Sequence, residues 1–116
     1  MPTQLDLAPR HVAMLRRLLD EHVPAAEVWA FGSRVTGRAH EGSDLDMVLR
    51  NPQHLAQPCA GQAELVDALA DSMLPMLVDV HDWASLPPAW HAEIARRHLL
   101  LKPAAIVATP AAPAPT

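Results

Sequence analysis

The sequence predicts an α/β (α+β) fold: a small mixed β-sheet of three or more strands flanked by helices, in the order α-β-β-α-β-α. Three observations predict it. Apolar residues recur at three- and four-residue spacing in three segments. Three short, mainly apolar runs sit between them, two with period-two alternation. Glycine or proline marks most boundaries. The 116 residues suit one domain, and with 50% hydrophobic and 19% charged residues a packed core is within reach.

The first helix spans about residues 8 to 22. Val12, Leu15, Leu18 and Leu19 form its apolar stripe, and Arg10, Arg16, Arg17, Asp20 and Glu21 lie elsewhere on the wheel. Pro9 suits the first turn and Pro24 stops the helix. Val28-Trp29-Ala30-Phe31 reads as a strand ending at Gly32-Ser33, and Arg34 to Gly42 as a polar loop. In the second strand, Asp44 to Leu49, the residues Leu45, Met47 and Leu49 point one way and Asp44, Asp46 and Val48 the other. Residues 60 to 73 read as a helix with Leu65, Leu69 and Met73 on one stripe. Leu77 to His81 is the third strand, with Val78 and Val80 on one face and Leu77, Asp79 and His81 on the other. A last helix runs from about Pro87 to Leu99, with Ser85 as its cap and Trp90 and Ile94 inward. A globular domain over 1–102 is therefore expected, followed by an Ala/Pro-rich tail, 103–116, too poor in large apolar residues to build a core.

The net charge of -4 argues against a long nucleic-acid ligand held by a basic face. The single cysteine, Cys59, excludes an intrachain disulfide and suits a reducing compartment. No apolar stretch approaches the roughly 20 residues that span a bilayer, and no signal peptide opens the chain. The expected location is the cytoplasm, with no membrane partner.

Asp44 and Asp46 are two apart on a strand, so their carboxylates project from one face. Like charges held that close repel unless a cation sits between them, and magnesium is the hard ion that prefers such oxygens. An isolated Asp-x-Asp is more often a solvated polar face. Asp79 shifts that balance, because it stands among the apolar Leu77, Val78 and Val80 on another strand. If that strand lies beside the second, three carboxylates converge. Gly32 allows a backbone to approach a phosphate closely, and the Ser33 hydroxyl and following amides can donate to it, with Arg34 adding charge. A Gly-Ser pair alone is weak evidence and usually ends a strand.

The spacing is the specific signal. Ten residues, Arg34 to Ser43, separate Gly32-Ser33 from Asp44-Leu45-Asp46. This pattern resembles the signature of the polymerase-β-like nucleotidyltransferase superfamily. The longer string, Phe31 to Gly37 and Gly42 to Val48, is similar to its small branch, the minimal nucleotidyltransferases. The resemblance covers about residues 8 to 102 and is tightest from Phe31 to Leu49. Val35-Thr36 departs mildly, where the family often has smaller or more basic residues.

The resemblance implies that fold and a metal-dependent transfer of a nucleotide from ATP. Gly32 and Ser33 would hold the β- and γ-phosphates of the nucleotide, and Arg34 and Ser43 would also bind it. Asp44, Asp46 and Asp79 would be catalytic and hold Mg2+. It further implies a partner. Minimal nucleotidyltransferases commonly pair with a small helical HEPN protein in bacterial toxin–antitoxin systems (type VII-like). The antitoxin transfers AMP to a tyrosine of the HEPN ribonuclease and silences it. Larger members of the superfamily carry acceptor-gripping modules, so a chain without one is expected to meet its acceptor on a partner. Two alternatives stay open: an antitoxin that neutralises by binding alone, and an adenylyltransferase for a small hydroxylated molecule.

Other candidates are weaker. His11, His22, His40, His54, His81, His91 and His98 lack zinc-ligand spacing. His81 shares the face of Asp79 and could support it. Cys59 reads as structural. Trp29, Trp83 and Trp90 read as core, in a chain with 3% aromatics, rather than a base-stacking platform.

Overall fold

The computed structural model describes residues 5–40 and 42–105. Helix α1 spans Pro9–His22, with the proline in its first turn. Strand β1 (Glu27–Phe31) is followed by a single helical turn, α2 (Ser33–Thr36). Strand β2 is Leu45–Arg50, helix α3 is Gln62–Ala70 and strand β3 is Val78–Asp82. A 3-10 turn (Trp83–Ser85) leads to helix α4 (Pro88–Arg96) and strand β4 (Leu99–Lys102). The four strands lie in the order β3-β2-β1-β4. β1 runs antiparallel to β2 and β4, and β2 runs parallel to β3, so the sheet is mixed as expected.

The sheet has two unlike faces. Leu45, Met47 and Leu49 of β2 and Val28 and Ala30 of β1 pack against Leu15 and Leu19 of α1 and Leu65 and Leu69 of α3. This is the main core. A smaller cluster of Val48, Trp83 and Ile94, with Trp29 and Phe31 against it, lies on the other face under α4. Period-two alternation along β2 assigns its carboxylates to that second face.

Four local expectations are corrected. The stretch after Gly32 is not all loop: α2 forms between glycines at positive φ, Gly32 (84°) and Gly37 (80°), and one turn is too short to show a period. The last helix stops at Arg96, because Arg97 is extended (φ -150°, ψ 100°), and the apolar run after it pairs with β1 as β4. Short apolar runs do not distinguish helix from strand by pattern alone. Ser85 belongs to the 3-10 turn and Pro87 caps α4. Met73, beyond the end of α3, is 83% exposed rather than part of its buried stripe. The expected tail lies outside the described residues from 106 onward. No helix among the described residues is long and apolar enough to cross a membrane.

Candidate active site

β1 delivers the chain to Gly32, whose φ of 84° and ψ of -158° suit glycine and strain other residues. A Cβ built there would run into the Asp46 carboxylate. The turn and the aspartate are therefore in contact, which chain spacing alone could not show. Ser33 follows as the first residue of α2, and its hydroxyl donates no hydrogen bond among the described residues.

Asp46 lies in β2, opposite Phe31 of β1 and in register with Asp79 of β3. Asp44 is two residues back on the same face, just before the strand begins. The condition for three converging carboxylates, β3 beside β2, is met. Burial, then the neighbouring charge of Asp79, raises the Asp46 pKa; Asp44 adds to the rise, while His81 opposes it. None of the three acids forms an ion pair with a basic side chain among the described residues.

Asp79 corrects a detail. It was expected inside an apolar strand, but β3 is the edge of the sheet and Asp79 is exposed. Val78 and Val80 turn to the core, whereas Leu77 is exposed. His81 stands on the Asp79 side, with its ring near Phe31 (5.7 Å) and Trp90 (5.9 Å).

Arg34 is placed differently from the expectation that it adds charge at a phosphate. It is 8% exposed, and its Nε and Nη2 donate to the Ser43 carbonyl at 3.0 and 2.8 Å. Nη1 donates to the Asp6 carbonyl at 2.8 Å. The Ser43 hydroxyl accepts from the His40 amide at 2.9 Å. Together these bonds tie the loop's end to its beginning and fix the chain that leads into Asp44.

Among the described residues no three His, Cys, Asp or Glu side chains already close a metal cage. The acids still fit magnesium, which commonly takes one or two carboxylates and completes its shell with water and substrate phosphates. The unpaired acids and the raised Asp46 pKa describe a site that gains from a cation.

The cleft beside Gly32, which none of the three acids lines, went unnoticed in the sequence. It holds about 740 Å3 and is lined by Phe31, Gly32, Arg38, Trp90, Arg96 and Arg97, among others. Trp90 is 47% exposed on its wall, not packed inward with Ile94. Its lining comes from α2 and α4, which are far apart in sequence. Only the Arg96-Arg97 pair at a helix end hinted at it.

The nucleotidyltransferase domain family model matches residues 12–100. The chain belongs to that family. A Haemophilus influenzae protein described as "Probable protein adenylyltransferase MntA" is 39% identical over 82 residues, which covers 71% of this chain and 70% of that protein. A solved structure described as "Crystal structure of the toxin-antitoxin with AMP-PNP" shares the fold. Its TM-score is 0.63 at 22% identity, covering 83% of this chain and 74% of that one. The nucleotidyltransferase fold expected from the sequence is thus shown.

Proposed function

We propose that this chain is a magnesium-dependent protein adenylyltransferase and the antitoxin of a toxin–antitoxin pair. It transfers AMP from ATP to a tyrosine of a HEPN-type toxin and silences it in the cytoplasm. The observation that carries the reading is Asp46 in register with Asp79 and in contact with Gly32. The name of the Haemophilus influenzae relative and the toxin–antitoxin neighbour support the class of acceptor.

Gly32 and Ser33 bind the nucleotide's phosphates through close backbone approach and the free hydroxyl. Asp44, Asp46 and Asp79 hold Mg2+, which when bound neutralises charge that develops on the phosphoryl oxygens. Asp79, exposed on the edge strand, takes the hydroxyl proton, the role that the family resemblance implies for it. The tyrosine oxygen then bonds to the α-phosphorus, the bond from that phosphorus to the bridging oxygen breaks, and pyrophosphate leaves with the electron pair. Arg34 and Ser43 serve the nucleotide indirectly, by holding the loop closed. The chain's contribution is positioning and charge neutralisation.

The test is co-expression with the helical partner, followed by intact-mass analysis of the partner. The wild type adds AMP to a partner tyrosine, and Asp44→Asn with Asp46→Asn abolishes both the adduct and neutralisation. An unmodified partner that the double variant still neutralises would show that binding alone suffices. Turnover on a small hydroxylated molecule with no partner present would make the acceptor class wrong.

A further inference from the structure

We propose that Arg38, Arg96 and Arg97, which line the cleft beside Gly32, form a cationic clamp on the terminal phosphates that the Gly32-Ser33 turn is expected to hold, and so select triphosphates over shorter nucleotides. This rests on the nucleotidyl-transfer reading and adds residues to it. The chain carries a net charge of -4 and nine Lys and Arg residues in all. Three of those nine line this one cleft. The others are placed elsewhere. Arg34, Arg50 and Lys102 are engaged inside the fold, and Arg10, Arg16 and Arg17 belong to α1, which packs on the opposite face of the sheet.

The three arginines face the cleft from two elements. Arg38 follows Gly37 at the end of α2, and Arg96 and Arg97 end α4. Glu93 is the acid on the lining and is paired with Arg96. Arg38 and Arg97 form no ion pair among the described residues. Cations gathered this way repel one another unless an anion joins them, and guanidinium forks match phosphate oxygens in pairs.

Position identifies the anion. Gly32 is shared: one side touches the Asp46 carboxylate and the other lines the cleft. A nucleotide whose α-phosphate reached the acids would therefore carry its β- and γ-phosphates past Gly32 towards the arginines. The cleft volume of about 740 Å3 is adequate for them.

The experiment is calorimetric titration of the full chain with ATP, ADP and AMP in magnesium, and competition by inorganic pyrophosphate. Arg96→Ala with Arg97→Ala is the test variant, and both side chains are exposed at a helix end. Arg10→Ala with Arg17→Ala removes the same charge from α1. The expected result is a loss of roughly tenfold or more in ATP and pyrophosphate affinity in the test variant. AMP affinity stays unchanged there, and the α1 variant behaves as wild type. An equal loss for AMP and ATP, a loss shared by the α1 variant, or no loss would overturn the clamp while leaving nucleotidyl transfer intact. A wild type that binds no ATP in magnesium would sink both. Unchanged ATP binding with weakened docking of the partner would reassign the cleft to an acidic polypeptide.

Discussion

At Asp46 burial and two neighbouring carboxylates act on one group, with His81 giving partial relief. The folded-state pKa therefore lies above the ordinary value of 3.8. Below that value both folded and unfolded chains are protonated and the residue contributes nothing to pH dependence. As pH rises, the unfolded chain releases the proton more readily than the folded one, so stability falls through the raised pKa and the penalty is complete above it. In chelator at neutral pH, Asp46→Asn should therefore melt higher than wild type, and the two should converge in acid. On the proposed function the same variant loses a metal-holding carboxylate, and activity should fall by about a hundredfold or more, as expected when a metal contribution of several kcal/mol is removed. Melting curves across pH check the first half. An Asp46→Asn protein that melts lower than wild type at neutral pH would contradict the charge repulsion.

At the scale of elements, what could be read depended on length and on which neighbour an element meets. β2 announced both its faces, because one face is buried against α1 and α3 and the other carries the acids. The Gly32-Ser33 to Asp44-x-Asp46 spacing was visible because it is local. β4 was not, since Leu99, Leu100 and Leu101 continue the apolar rhythm of α4 and only the extended Arg97 separates them. The cleft was hidden because it unites α2 and α4 across more than fifty residues of chain. Arg34 looked like a phosphate ligand because sequence does not reveal that a guanidinium is spent on carbonyls. β4 has a further fastening that the pattern did not suggest. The Nζ of its last residue, Lys102, donates to the carbonyls of Pro24, Ala26 and Pro103 at 2.9, 2.7 and 2.9 Å. Ala26 is itself buried, so its carbonyl has no water to replace the lost donor. Lys102→Met should cost about 1–3 kcal/mol, the cost of stranding buried acceptors. A urea midpoint equal to wild type would show that the fastening is idle. ATP affinity should not change, because Lys102 is on the far edge of the sheet from Asp79.

The molecule as a whole keeps its main core on one face of the sheet and its candidate site on the other, and that second face is divided again at Gly32. Acids stand on one side and arginines on the other. On the proposed function, magnesium alone would meet carboxylates that do not close a cage, so it would keep most of its water and bind weakly. ATP alone would bring its phosphates next to three uncompensated carboxylates and be repelled. Together each would remove the other's penalty, because the cation would satisfy the acids and the phosphates would complete its shell. Binding should therefore be strongly cooperative. A ligand at a hundredfold excess over its Kd stabilises a fold by about 2.7 kcal/mol, which for a domain of this size is on the order of 10 °C in Tm. Magnesium with a non-hydrolysable ATP analogue should produce a shift of that size, whereas either alone should give much less. Thermal melts in the four combinations measure it directly. If magnesium alone raises Tm as far as the pair does, the acids form a complete metal site without the nucleotide. The division of labour argued for the two sides of Gly32 would then be wrong.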